Sequence, residues 1–370
     1  MKVERDLAGI TLPFTAGTAA VLWFGHVFCT RFHLSSTLAF SAVLCSAAVL
    51  LHHRHISLSS AALRIVIGIC MAACGIICGI TSEATSAAGP LMAGIMEAIG
   101  TLGQKTGEMI DSIGFRSPDT NAIIKALIIG DRTDIPKHIT EAFRESGASH
   151  ILALSGLHLG IIYGILTKLL SVLGNRPSAR AARSMTIVLA CGLYTLATGA
   201  GASIVRAFLF ILIGETARLC GRFKSTGTVL MAALLIHLTL APSSLREVGF
   251  QLSYAAMAGI AFIYPRLKNF WPEQKARLMP RPLRWMWNTA AMSISCQLTT
   301  GPLAYIYFRT FPVHFLLTNM IALPLTGLII PAALLTLALS AMGICPDIVL
   351  RASEALVTAL SEALKIISVM

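Results

Sequence analysis

The stretch "HILALSGLHLGIIYGILTKLLSVL", residues 150–173, decides the fold class, because it is long and apolar enough to cross a lipid bilayer as a helix. Of the 370 residues in the chain, 55% are hydrophobic and 12% are charged, and soluble domains carry about twice that charged fraction. Further apolar runs lie at about 11–28, 36–51, 61–80, 185–199, 202–220, 226–241, 247–265, 285–308 and 312–342. Because helices satisfy their own backbone in lipid, we expect an all-α polytopic integral membrane protein of about nine to eleven transmembrane helices.

The charge pattern predicts the orientation of the chain. There are 29 Lys and Arg residues against 17 Asp and Glu residues, for a net charge of +12. In a soluble protein this excess would suggest nucleic acid, but in a membrane protein the enrichment of basic residues in cytoplasmic loops explains most of it. With the N-terminus in the cytoplasm and alternating spans, every basic cluster falls on the cytoplasmic side: 52–55, 176–183, 218–224 and 266–284.

No cofactor or metal is expected from the cysteine and histidine pattern. The nine cysteines are an odd number and lie almost entirely in apolar segments, so they are predicted to be small buried residues and not a disulfide framework. Three of them share one helical stripe, at Cys70, Cys74 and Cys78, but no histidine or carboxylate joins them.

Residues 81–149 are predicted to be extracytoplasmic. Apolar residues recur at three- and four-residue spacing from 92 to 113, which is typical of an amphipathic surface helix. A second short helix is predicted to begin at an Asp134 N-cap with Pro136 just inside and to end at Gly147. We expect these short amphipathic helices to lie on the membrane face.

Two prolines interrupt the last apolar stretch, at Pro324 and Pro331. Proline removes a backbone hydrogen bond, and broken helices in membranes often line a cavity. The sequence therefore predicts a helix broken at these prolines, with an ordinary kink as the alternative. The chain then ends in an amphipathic segment, residues 351–370, which is predicted to be interfacial.

The opening stretch also carries polar residues at membrane depth. Ser155 and His158 are three residues apart and share a helix face, with His150 at the outer end. A polar group there needs a partner or a function, since a central charge costs about 2.5–3.5 kcal/mol on insertion scales. The two histidines either line a passage or only bridge helices by hydrogen bonds. An intramembrane serine hydrolase is less favoured, because neither a G-x-S-x-G turn nor an acidic residue within the span accompanies Ser155 and His158. A stripe of small residues, which lets another helix approach closely, follows at Gly156, Gly160 and Gly164.

Three further polar positions lie in apolar segments. Arg206 faces a pore that passes an anion, extends its guanidinium to the membrane interface, or pairs with Glu215 or Glu247. Gln251 lies between Phe250 and Tyr254, whose spacing suits either the stacking of a single nucleic-acid strand or ordinary packing. Asn319 precedes the predicted break.

Five stretches in this order together resemble the competence domain of the ComEC family, whose members form the inner-membrane channel for single-stranded DNA in natural transformation. They are "ALIIGDRTDIP" (126–136), "ASHILALSGLHLG" (148–160), "TGAGASIVRAFLF" (198–210), "VGFQLSYAAMAG" (248–259) and "FPVHFLLTNMIALP" (311–324). The resemblance covers roughly residues 121–342. It implies a channel, not an enzyme, in the bacterial inner membrane. By motif match, it also places nine residues at the mouth or lining: Asp131, Arg132, His150, Ser155, Gly156, His158, Arg206, Gln251 and Asn319.

The resemblance also implies a division of the chain and a set of partners. Residues 1–80 would be N-terminal transmembrane helices, residues 81–120 an amphipathic linker where other members carry an OB-type domain, and residues 121–370 the channel domain. We expect no metallo-β-lactamase-like domain, so a separate nuclease would degrade the other strand. An extracytoplasmic DNA receptor is expected. A cytosolic motor docked on the 266–284 loop is also expected, because the chain has no Walker motif with which to hydrolyse a nucleotide itself. The runner-up function is transport of another anionic solute.

Overall fold

The computed structural model describes residues 2–28, 60–84, 90–174, 176–221, 225–270 and 280–369. The predicted span at 36–51, the basic cluster at 52–55 and the middle of the 266–284 loop lie outside these residues. In the part of the chain that is described, all regular structure is helical, and the predicted all-α class is confirmed.

Fifteen α-helices follow one another in the described residues. They are α1 (Lys2–Phe28), α2 (Ser60–Ala84), α3 (Pro90–Asp111), α4 (Pro118–Ile128), α5 (Lys137–Glu145), α6 (Ser149–Leu152), α7 (Gly156–Leu169), α8 (Pro177–Ala197), α9 (Ala202–Leu219), α10 (Thr226–Leu240), α11 (Val248–Ala258), α12 (Tyr264–Lys268), α13 (Arg281–Phe308), α14 (Phe315–Ala341) and α15 (Asp347–Val369). A π-helix, Gly259–Ile263, joins α11 to α12.

The helices fall into two compact units. One comprises Met1–Pro90 and Phe223–Tyr254, and the other Leu91–Arg222 and Ala255–Met370. The division into residues 1–80, 81–120 and 121–370 stays a prediction about function, because a compact unit and a functional domain need not coincide.

Three described segments are long and apolar enough to cross a membrane: Gly156–Leu173, Val248–Lys268 and Phe315–Ala341. Two shorter apolar segments, Ile67–Gly79 and Thr226–Leu240, accompany them. The chain is therefore an all-α membrane protein. The full number of spans, nine to eleven, stays a prediction.

The first unit is built on a close crossing of α1 and α2. A Cβ added to Gly17 would lie 2.0 Å from the Ala72 carbonyl oxygen, and one added to Gly75 would lie 2.1 Å from the Phe14 carbonyl oxygen. The two backbones thus touch where both helices have glycine, as small residues allow in membrane bundles. The Thr18 hydroxyl donates to the Gly75 carbonyl at 3.3 Å and reinforces this contact.

The second unit has a core that surrounds α4. Every residue from Ala122 to Ile128 is buried, and this helix packs with the buried faces of α5, α14 and α15. Because α4 buries apolar side chains on all its sides, it lies inside the core of this unit. The C-terminal α15 packs its apolar stripe on the same core, at Val357, Leu360 and Leu364.

The helix ends in this unit match the sequence predictions in part. The amphipathic helix predicted over 92–113 is confirmed as α3. Gly147 follows the end of α5 with a φ of +81°, as predicted. Asp134 is not the N-cap of α5, because Pro136 occupies that position and the Asp134 carboxylate instead accepts a hydrogen bond from Lys125.

The predicted break in the last apolar stretch is wrong. The helix α14 runs continuously from Phe315 to Ala341, with Pro324 and Pro331 inside it. Each proline removes only one backbone donor, and membrane helices tolerate this loss where neighbouring groups satisfy the freed carbonyl.

A buried lysine ties α3, α4 and the segment before α5 together. The Nζ atom of Lys125 lies 2.7 Å from Asp111 Oδ1 and 2.8 Å from Asp134 Oδ2. The Lys125 side chain is 10% exposed, whereas the two carboxylates are about half exposed. The bond from Lys125 is the main cause that lowers the pKa of Asp111, and the bonds to Asp111 and Asp134 raise the pKa of Lys125.

Replacing Lys125 with Met is expected to lower the free energy of unfolding by about 1 kcal/mol at neutral pH, since both carboxylates are partly screened by solvent. The Asp111 contribution is present above the unfolded pKa of about 3.9 and is lost as pH falls through the lower folded pKa. The Lys125 contribution is present below about pH 10.4 and is lost as pH rises through the raised folded pKa. Denaturant titrations across pH, with exposed Lys137→Met as control, measure this difference; a difference that persists in strong acid contradicts the assignment.

Candidate functional site

Ser155 and His158 together cap the N-terminus of α7. Ser155 is the N-cap residue, and its Oγ accepts the Leu157 amide at 3.2 Å. In return the Ser155 amide donates to His158 Nδ1 at 3.1 Å. This reciprocal arrangement is a capping box, in which histidine stands at the third helical position, where Glu or Gln is usual. The three-residue spacing of Ser155 and His158 is therefore explained by the capping of α7.

The cap also fixes the tautomer of His158. An amide nitrogen can only donate, so Nδ1 is the acceptor and the neutral ring carries its proton on Nε2. The side chain is 1% exposed, and Nε2 has no hydrogen-bond partner among the described residues. A buried polar group left unpaired costs about 1–3 kcal/mol, so this donor requires an explanation beyond capping.

Ser155 and His158 are also as close to each other as a catalytic nucleophile and its base. Ser155 Oγ lies 3.0 Å from His158 Nδ1. However, the Ser155 amide already donates to the same Nδ1 atom, and no described carboxylate bonds Nε2. Because a nucleophile needs a base that a third group orients, this geometry suits helix capping better than hydrolysis.

Arg206 lies directly against the first residue of α7. A Cβ added to Gly156 would lie 2.8 Å from Arg206 Nη2 and 3.2 Å from the Ala207 Cβ. A larger residue here would require the arginine side chain to shift, and Arg206 is 8% exposed. The predicted glycine stripe does not continue, because a Cβ at Gly160 or Gly164 would meet no described atom within 4 Å.

Glu215 is not the partner of Arg206. It is about two and a half turns further along α9, on the opposite face of the helix. Its buried carboxylate accepts from Tyr163 at 2.8 Å and Ser184 at 2.7 Å, and it lies 3.1 Å from Arg218. This network joins α7, α8 and α9. Sequence reasoning did not find it, although Glu215 and Arg218 stand one helical turn apart in an apolar segment.

The segment after α4 is packed next to the cap of α7. Gly130 has a φ of +82°, and a Cβ there would lie 2.2 Å from Leu154 Cδ1, so only glycine fits. The Asp131 carboxylate accepts from the Thr133 amide at 3.0 Å and the Thr133 hydroxyl at 2.7 Å, and these bonds lower the pKa of Asp131. Arg132 is exposed.

Asp131 also lines an open cleft of about 690 Å³ in the second unit. Its polar lining includes Gln104, Glu108, Asp111, Lys125 and Asp131. Because the carboxylates outnumber the lysine, this cleft repels phosphate groups. The cleft that Asp131 lines is therefore acidic.

His150 and Asn319 make different contacts within the second unit. His150 is exposed, and its Nδ1–H donates to the Gly147 carbonyl at 3.1 Å. Asn319 Nδ2 donates to Ser293 Oγ on α13 at 3.3 Å. Its Oδ1 atom is buried and has no donor among the described residues. Asn319 is thus a second polar side chain with an unsatisfied atom in an apolar helix.

Gln251 lies in the first unit, where its Nε2 donates to the Leu245 carbonyl at 2.9 Å. The neighbouring rings of Phe250 and Tyr254 are 2% and 8% exposed, with centroids 4.5 Å apart. Tyr254 also contacts His237 Nδ1 at 3.2 Å. The prediction that these rings stack on a nucleic-acid strand is therefore wrong. The alternative of ordinary packing holds, because both rings are buried and contact other side chains within the first unit.

Of the nine predicted site residues, the structure brings Ser155, Gly156, His158 and Arg206 together at one place. We name this place the α7 cap site, defined by those four residues. In the described residues no group of three His, Cys, Asp or Glu side chains suits a metal ion.

His158→Gln is expected to keep the free energy of unfolding within about 0.5 kcal/mol of wild type, because glutamine also accepts the Ser155 amide in a capping box. His158→Ala is expected to cost about 1 kcal/mol or more, since the cap acceptor and the buried ring are both lost. Equilibrium unfolding in detergent measures both variants. Equal losses in the two would mean that the capping bond contributes nothing.

Comparison with known proteins agrees with the motifs quoted above. Residues 127–370 match the sequence model of the family described as "Competence protein". ComE operon protein 3 of Bacillus subtilis (strain 168) is 29% identical over 228 residues, which cover 60% of this chain and 27% of that protein. The uncharacterized protein YcaI of Escherichia coli (strain K12) is 24% identical over 213 residues, which cover 56% of this chain and 28% of that protein.

The matched region is thus just over a quarter of the length of each of these relatives. No solved structure matches. The family match covers most of the second unit, including the α7 cap site, and it extends over well more than half of the chain. The chain belongs to the competence protein family.

Proposed function

We propose that this protein forms part of the inner-membrane channel through which single-stranded DNA enters the cytoplasm during natural transformation. The observation that carries the proposal is the α7 cap site, where Arg206 and His158 are buried at the start of a segment apolar enough to span a membrane. Ionisable groups at such depth commonly mark the path of an ion or substrate. The family supports the substrate class, since its sequence model is described as "Competence protein".

The chemistry of the α7 cap site suits a polyanion that must be released again. Arg206 supplies a permanent charge, whereas the neutral His158 supplies only a hydrogen bond from Nε2. A passage needs binding that is favourable enough for entry and weak enough for exit. Ser155 and Asn319 add further uncharged polar groups. Asp131, Arg132 and His150 would lie nearer the outer mouth.

The same proposal assigns the remaining tasks to other proteins. With a cytoplasmic N-terminus, the basic 266–284 loop would face the cytoplasm and dock a separate motor. An extracytoplasmic receptor would deliver the DNA, and a separate nuclease would degrade the strand that does not enter. The chain itself would act as a channel and not as an enzyme.

A serine hydrolase is the second candidate, and the 3.0 Å contact between Ser155 Oγ and His158 Nδ1 is the observation that favours it. Covalent labelling of Ser155 by a serine-reactive probe would support it. We favour the channel because the same contact belongs to a helix cap.

Deletion of the gene in a competent host is expected to leave labelled linear DNA outside the inner membrane. Arg206→Gln is expected to reduce cytoplasmic label about tenfold or more, because a desolvated charge on the path is lost. Arg180→Gln, an exposed position on α8, is the control with the same change in charge. The measurement is the label recovered separately from the two compartments. Normal cytoplasmic delivery in the deletion strain contradicts the channel.

A further inference from the structure

The helix α13 carries exposed aromatic side chains at both ends and no charged residue between them. Trp285 at one end is 49% exposed, and Tyr305 at the other end is 53% exposed. The rise between these two positions is about 30 Å at 1.5 Å per residue, which is the thickness of the hydrocarbon core of a bilayer. No Asp, Glu, Lys or Arg occurs from Trp285 to Phe308. The two sets of rings therefore have the spacing of the aromatic belts that mark the two membrane interfaces.

The surface that α13 exposes between these ends is apolar. None of the exposed positions from 288 to 304 is polar: they are Met292, Leu298 and Pro302. Further exposed rings follow this stretch, at Phe308 and Phe311. The exposed side chains thus change from rings to aliphatic groups and back to rings along the helix, as expected for a helix that crosses a bilayer.

The Trp285 end of α13 packs against the end of α12, and basic side chains gather there. The ring of Phe270, which follows α12, has its centroid 6.0 Å from that of the Trp287 ring. Lys268 Nζ lies 6.0 Å from the centre of the Tyr264 ring. We name this place the α12–α13 surface, defined by four basic and two aromatic residues: Arg266, Lys268, Arg281, Arg284, Phe270 and Trp285.

The positive charge of the α12–α13 surface is not balanced by the described residues. All four basic side chains are exposed, and none of them forms an ion pair with a described carboxylate. Phe270 is 66% exposed in the same surface. Rings and cations at one end of a membrane helix suit the headgroup region, where rings lie at the level of the headgroups and cations attract anionic lipids.

A single strand of nucleic acid also binds surfaces of rings and cations, so the two occupants have to be compared. Stacking on a strand explains the rings at one end of α13 only. A bilayer explains both sets of rings, their separation and the apolar surface between them. The lipid is therefore the occupant that accounts for more of the structure.

We propose that the α12–α13 surface binds the headgroup of an anionic phospholipid, with Arg281 and Arg284 at its phosphate and Trp285 at the level of the headgroups. This inference goes beyond the proposed function, because it holds whatever the protein transports. It also differs from a general excess of positive charge, because it predicts a lipid preference that depends on particular arginines. The bound lipid would fix the depth of α13 and hold both ends of the 266–284 loop at the membrane surface.

The test is quenching of tryptophan fluorescence by brominated lipid, in phosphatidylcholine liposomes that contain the full chain. Replacing Trp23 and Trp271 with Phe leaves Trp285 and Trp287 of the four tryptophans, so the signal comes from α13. Brominated phosphatidylglycerol is expected to bind about threefold or more tightly than brominated phosphatidylcholine, because each basic residue attracts an anionic headgroup. Bromine near the headgroup is expected to quench more than bromine near the chain ends, since the rings lie at the interface.

Paired substitutions in this background separate local charge from total charge and from folding. Arg281→Gln with Arg284→Gln is expected to abolish the preference for phosphatidylglycerol. Arg281→Lys with Arg284→Lys keeps the charge and is expected to retain most of the preference. Arg176→Gln with Arg180→Gln removes the same charge at exposed positions of α8 and is expected to leave the preference unchanged.

Each result supports or overturns the lipid site. Equal affinity for the two lipids before any arginine is replaced overturns it, and so does an equal loss of preference in the α8 and α13 pairs. Stronger quenching by bromine near the chain ends also overturns it. Quenching that (dT)15 changes through Arg281 and Arg284, without a preference between lipids, assigns the surface to a strand instead. The lipid measurements contain no DNA, so their outcome is separate from that of the uptake experiment.

Discussion

The hydrogen bonds that cap the N-terminus of α7 are the interaction on which the candidate site depends. Ser155 and His158 satisfy each other's backbone and side chain there, and this bond fixes the orientation of the imidazole. Gly156 lets Arg206 approach the same helix end. An unpaired polar group in an apolar segment is costly, so the buried Nε2–H of His158, which has no partner among the described residues, calls for a function beyond capping.

Other elements pack around this place. Gly130 packs on Leu154 just before the cap, and the buried carboxylate of Glu215 joins α7 to α8 and α9. The core around α4 supports the segment that carries Asp131. The carboxylates that line the neighbouring cleft disfavour phosphate groups there.

The sequence predicted the fold class because that class depends on local patterns. Hydrophobic run length predicted a helical membrane protein, and the spacing of Ser155 and His158 predicted a shared helix face. The φ of Gly147 followed from its place after an amphipathic segment. These features are determined by residues that are close together in the chain.

The remaining features depend on contacts between residues that are far apart in the sequence. The spacing of residues along one segment does not predict such contacts. The close approach of Arg206 to Gly156 and the burial of α4 arise only when helices pack. Pro324 and Pro331 do not break α14, because surrounding helices decide whether a proline ends a membrane helix. Phe250 and Tyr254 have the spacing of a stacking face, yet their burial with His237 makes them a packing cluster.

Passage of a single strand through the purified protein tests the central claim most directly. The full chain would be reconstituted in liposomes, labelled (dT)15 added outside, and the label protected from external nuclease measured over time. A channel for single strands predicts protected label that depends on the protein, with no protection of a double-stranded oligonucleotide of the same length. Protection equal to that of empty liposomes, in vesicles shown to contain folded protein, would contradict it.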